Sequence, residues 1–131
     1  MFNPASLAFL GDGVYELLVR KMILARHGSV SANKLHKLCV EYVKASAQAE
    51  AFTRLEPFLT EDELAIYRRG RNANGVSVPK SSTPRDYRMA TGLEALFGYL
   101  YLSGESDRIE QLFNMLIEGE SNHADSGEAV L

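Results

Sequence analysis

The stretch Met89-Ala90-Thr91-Gly92-Leu93-Glu94-Ala95-Leu96-Phe97-Gly98-Tyr99-Leu100-Tyr101-Leu102 holds fourteen residues and a single charge, Glu94. It contains no proline and no alternation of period two, so it reads as a helix with apolar residues on more than one face. Such a helix belongs in the middle of a bundle. Ala5 to Tyr15 has the same character, eleven residues in which Asp12 is the only charge. A carboxylate buried in an apolar helix costs on the order of several kcal/mol unless it is paired or bound to a metal. Small residues stand beside both acids: Gly11 and Gly13 next to Asp12, and Ala90, Gly92 and Ala95 around Glu94. An interior helical glycine costs about 0.5–1 kcal/mol relative to alanine. The pattern therefore implies close approach by another helix, an ion or a ligand.

Working outward, the helical period continues along the chain. Asn3-Pro4 opens a first helix that reaches Arg26-His27-Gly28. Ser31 caps a second, with Leu35, Leu38, Cys39, Tyr42, Ala45, Ala49 and Phe52 on one stripe. Thr60-Glu61-Asp62-Glu63 is a capping box that opens a short third helix. A loop of about a dozen residues runs from Asn72 to Pro84, a length that inside a domain usually marks function or mobility. Further helices are expected from Arg85 to Leu102 and from Glu105 to Glu118. The expectation is an all-α bundle of about five or more helices over residues 1–118, with 119–131 as an acidic, disordered tail.

Composition narrows the setting. The chain has 131 residues, 46% apolar and 24% charged, and one cysteine. That is globular, large enough for a core without staples, and excludes a disulfide framework or a thiolate zinc cluster. No secretory signal opens it and no apolar run nears the ~20 residues of a spanning helix. No membrane role and a cytoplasmic location are the expectation. The net charge of −3 averages unlike segments. Leu64 to Arg88 carries six basic residues and one acid, while Glu105 to Leu131 carries seven acids and one base. The first segment reads as a polyanion surface on an otherwise acidic protein.

Two internal acids without two matching internal cations point to a divalent cation, although capping a helix or pairing with arginine would also satisfy an acid. Oxygen-only ligands favour Mg2+, with Mn2+ as a substitute. A carboxylate-held Mg2+ near a basic loop is an arrangement that cleaves phosphodiesters. Other chemistry is weak. His27, His36 and His123 are scattered, Cys39 falls on an apolar stripe, and Glu16 reads as the surface partner of Arg20.

Leu7-Ala8-Phe9-Leu10-Gly11-Asp12-Gly13-Val14-Tyr15-Glu16 resembles the signature helix of the ribonuclease III family, and Ala90 to Leu102 resembles that family's second acidic helix. Arg69-Gly70-Arg71-Asn72-Ala73, Pro79-Lys80 and Tyr87-Arg88 are similar to the short bacterial branch, Mini-ribonuclease III, which has no separate RNA-binding domain. The resemblance implies a homodimer that cleaves double-stranded RNA with Mg2+, leaving 5′-phosphates and 3′-hydroxyls, and that matures large-subunit (23S) ribosomal RNA. It implies Asp12 and Glu94 as the catalytic, metal-holding acids. Larger relatives carry two more acids where this chain has Ala8 and Thr91, which implies weak metal binding without RNA. Arg69, Arg71, Asn72, Lys80 and Arg85 are expected to grip the duplex, with Arg88 near the scissile phosphate or paired with an acid. The alternative is a non-catalytic RNA-binding dimer associated with ribosome assembly.

Overall fold

A computed structural model describes residues 2–73 and 77–124. Its elements are α1 (Pro4–His27), α2 (Ala32–Val43), α3 (Ala45–Leu55), a single 3-10 turn (Glu56–Phe58), α4 (Glu61–Arg71), α5 (Pro84–Leu102) and α6 (Ser106–Ala124). Among the described residues there is no strand, in agreement with the all-α expectation. None of these helices is long and apolar enough to cross a membrane.

Local chemistry sets most boundaries. Asn3 Oδ1 accepts from the Ser6 N–H at 2.8 Å and Pro4 fills the first turn of α1. The helix stops at Gly28, whose φ of 66° lies in the left-handed region that favours glycine. Thr60 and Glu63 form the capping box at the start of α4, with the Thr60 N–H donating to Glu63 Oε1 at 2.9 Å. The Arg108 guanidinium holds the same Glu63 carboxylate through two contacts of 2.8 Å and donates to the Phe58 carbonyl at 2.9 Å. That clamp ties the start of α4 to α6.

Two boundaries differ from the sequence reading. The second helix, read as one element from Ser31 through Phe52, is two. Lys44 takes an extended conformation (ψ 154°) between α2 and α3. The Gln48 side-chain amide donates to the Val43 carbonyl at 2.9 Å, satisfying an acceptor that the end of α2 leaves open. No glycine or proline marks the break. It is made by a side chain five residues away and by the burial of that side chain. The last helix, expected to end at Glu118, continues to Ala124. The remainder of the expected tail, 125–131, lies outside the described residues, as do 74–76 of the loop between α4 and α5.

α5 is the centre of the bundle and packs on α1, α3, α4 and α6. Its Leu93, Ala95, Leu96 and Phe97 are fully buried, with Val19, Leu55 and Leu112 around them. Tyr15 meets Phe97 and Phe113 edge to face. Glycines let the helices touch backbone to backbone. A Cβ on Gly11 would overlap the Glu94 carbonyl, and one on Gly98 would overlap the Leu7 carbonyl, so α1 and α5 cross in contact there. Gly70 of α4 meets Gly92 and Ala95 of α5 in the same way. Of the three readings of the small residues, close helix approach is the one that these contacts satisfy.

Candidate functional site

The α1–α5 crossing determines where the two acids lie. Gly11 abuts the Glu94 backbone, and Asp12 is the next residue of α1. The expectation that both acids sit inside the bundle is corrected: Glu94 is half-buried, but Asp12 is exposed. Only the Gly11 side of this part of α1 is covered, and a Cβ on Gly13 would meet nothing within 4 Å. The acids therefore stand at the edge of the crossing, one inside and one at the surface.

Burial and neighbouring negative charge disfavour ionisation of both acids. Burial pushes the Glu94 carboxyl up to about 7, and the charges of Asp12 and Glu16 push in the same direction, against a hydrogen bond from Gln48. Partial burial raises Asp12 from its ordinary value, and Glu16 raises it further. Among the described residues, no lysine or arginine figures in the groups that shift either acid. Glu16 pairs with Arg20 at 3.4 Å on the exposed side, as the sequence suggested, and its field also reaches both acids.

Gln48 is the site residue that the sequence reading missed. It lies on α3, forty-six positions from Glu94, and is 2% exposed. Its Nε2 donates to Glu94 Oε2 at 3.0 Å, while its Oε1 is buried without a partner. An unpaired buried acceptor costs about 1–3 kcal/mol. The only sequence signal was a polar residue on the inner face of an alanine-rich helix, beside Ala49, Ala51 and Phe52. Ala8 and Thr91, the two positions that the resemblance singled out, hold no acid. Ala8 packs with Leu7 and Ala95, and the Thr91 hydroxyl donates to the Tyr87 carbonyl at 2.9 Å.

These residues fit a hard divalent cation. The donors are carboxylate oxygens, both acids are raised by burial and by neighbouring negative charge, and a free buried carbonyl oxygen lies beside them. Among the described residues no three His, Cys, Asp or Glu side chains group as a metal cluster. An ion here would take two protein carboxylates and fill its shell from water and phosphate.

The basic residues lie on the end of α4, the segment after it and the start of α5. Because Gly70 rests on Gly92 and Ala95, the last turn of α4, with Arg68, Arg69 and Arg71, runs beside the segment of α5 that carries Glu94. Arg88 precedes Glu94 by about 9 Å along the helix axis, at about 1.5 Å per residue. Arg69, Asn72, Lys80, Arg85 and Arg88 are exposed. Arg71 and Asn72, read as two separate contacts, are joined: Arg71 Nε donates to Asn72 Oδ1 at 3.1 Å. The Arg71 guanidinium also lies 5.6 Å over the Tyr67 ring, which stacks on Phe52 at 3.6 Å. Arg85 reaches the neighbouring Asp86 at 3.4 Å.

Comparison with known proteins gives the family. Residues 5–105 match the Ribonuclease III domain family. Mini-ribonuclease 3 of Symbiobacterium thermophilum is 49% identical over 109 residues, which is 83% of each chain. Mini-ribonuclease 3 of Brevibacillus brevis is 48% identical over 122 residues, 91% of this chain and 90% of that one. A crystal structure of a protein from Fusobacterium nucleatum superposes with a TM-score of 0.82 at 32% identity, covering 91% of this chain and 94% of that chain. A pair of acids at a glycine-lined helix crossing, with a basic turn beside it, is thus carried by a chain that belongs to the ribonuclease III family, among the Mini-ribonuclease 3 proteins, and is an endoribonuclease.

Proposed function

We propose that the chain is a homodimeric, Mg2+-dependent endoribonuclease of double-stranded regions in structured RNA, acting on precursor large-subunit (23S) ribosomal RNA in the cytoplasm. The observation that carries this is the Asp12–Glu94 pair, each acid raised by burial and by neighbouring negative charge, beside the basic turn of α4. Residues 1–118 carry the nuclease unit, and its last helix continues past them to Ala124.

Asp12 and Glu94 hold the ion, Mn2+ being able to replace Mg2+. When bound, the ion lowers the pKa of a coordinated water and stabilises charge on the attacked phosphate and the leaving oxygen. The chain's own residues do the rest. Glu94 keeps a carboxylate in a half-buried place where anionic charge is disfavoured, so it takes up a cation readily near neutral pH. Asp12 stands at the exposed edge, where a strand can reach it. Arg69, Arg71, Asn72, Lys80 and Arg85 hold phosphates and 2′-hydroxyls on the duplex, which reads shape rather than sequence. Arg88, on α5 before Glu94, approaches the scissile phosphate. Cleavage leaves a 5′-phosphate and a 3′-hydroxyl.

Support for the dimer comes from α1. Its Phe9 is 84% exposed and Leu17 is 67% exposed, with Leu24 also out. On α5, Leu93, Leu96 and Leu100 are buried in the core, while Tyr101 and Leu102 at its end are exposed. The experiment for the enzyme is D12N with duplex RNA and Mg2+. Loss of cleavage with retained RNA binding is expected, and unchanged cleavage overturns the proposal.

A further inference from the structure

Gln48 is held at the edge of the acid pair with its bonding incomplete. Its amide nitrogen donates to the Val43 carbonyl at 2.9 Å and to Glu94 Oε2 at 3.0 Å. Those two acceptors settle which end of the carboxamide is nitrogen, because the reverse orientation would set its oxygen against a carbonyl and a carboxylate. The oxygen is then the atom left buried without a partner. A buried acceptor with no partner is rare in a native fold and calls for a physical account. The chain is bent to put it there: α2 and α3 part at Lys44, and the same amide takes the carbonyl at the end of α2.

We propose that Gln48 is a positioning residue of the cation site: it holds Glu94 Oε2 so that the other carboxylate oxygen faces the ion, and its own free Oε1 accepts from water that a hydrated cation brings. This rests on the reading of Glu94 as an ion-holding acid. A half-buried glutamate has several rotamers, and a fixed donor on one oxygen removes most of them. The free acceptor meets a need specific to this cation class, since Mg2+ and Mn2+ keep water in their shells and water presents donors. With Ala8 and Thr91 in place of two more acids, a site of few carboxylates relies more on such outer support.

The test uses the full chain and Mn2+ alone, with free Mn2+ followed by its electron paramagnetic resonance signal. Q48M keeps the volume and removes the carboxamide. It is expected to bind Mn2+ about 10–100-fold more weakly, the usual effect of removing a partner of a metal ligand. With duplex RNA its kcat should fall while KM holds, because the basic residues are untouched. If Q48M does not fold, Q48N is used, too short to reach both Val43 and Glu94. The readout is then the Mn2+-induced rise in Tm relative to the variant's own metal-free value, which is expected to shrink. Wild-type Mn2+ affinity in Q48M, or a full Tm rise in Q48N, overturns the role of Gln48. E94Q separates the two readings. If E94Q loses Mn2+ and Q48M keeps it, only Gln48 is removed; if E94Q keeps Mn2+, the ion-holding role of Glu94 falls and takes Gln48 with it.

Discussion

Gly11 lies against the backbone of Glu94: a Cβ built on Gly11 would overlap the Glu94 carbonyl oxygen and stand 2.9 Å from the Gly98 amide nitrogen. The contact is backbone on backbone, so no side chain can rotate away to make room. Gly11→Ala is therefore expected to cost about 3 kcal/mol or more as an overpacking change. Gly13→Ala, two residues on and facing open space, should stabilise by about 0.5–1 kcal/mol through helix propensity. Urea denaturation of the two variants checks the contrast, and equal effects would contradict the crossing.

The Glu94 carboxyl titrates near 7 in the fold, against an ordinary value of 4.5. Between those values the folded state holds a proton that the unfolded chain has released. Stability of the metal-free protein should then fall as pH rises across that window and level off above it. The size is about 3 kcal/mol, at about 1.4 kcal/mol per unit. Denaturation in EDTA at a series of pH values measures this. Glu94→Gln should flatten the curve, and Mn2+ should restore stability at the upper end, because it binds the deprotonated form.

Arg69, Lys80, Arg85 and Arg88 are exposed on the end of α4, the segment after it and the start of α5. Replacing Arg85 or Lys80 by alanine should raise KM for duplex RNA with little change in kcat. It should also lower the steepness of log KM against log salt by about one unit for each phosphate that is no longer held. A KM that is unchanged over a salt series would remove that residue from the grip.

Phe9 and Leu17 lie eight positions apart on α1, on the same side of the helix, and both are exposed. Leu17→Glu places charge in that stripe without touching the core. Sedimentation should show the wild type as a dimer and the variant as a monomer that keeps its helical content. A monomeric wild type would contradict the assembly.

The elements and the identity of the two acids were legible in the sequence because their causes are local. A capping box at Thr60, a proline after Asn3, and single acids in apolar runs are written within a few residues of one another. So was the basic stretch hidden by the net charge. The tertiary structure alone decided that Asp12 is exposed while Glu94 is half-buried, that the helix breaks at Lys44, and that Gln48 joins the site from α3. The exposure of Asp12 follows from the glycine contact that sets one face of α1 against α5 across more than eighty positions of chain, and the other two from the hydrogen bonds of the buried Gln48 to Val43 and Glu94. Helix formation is governed by hydrogen bonds four residues apart; the placing of helices is governed by packing between segments that the sequence does not set side by side.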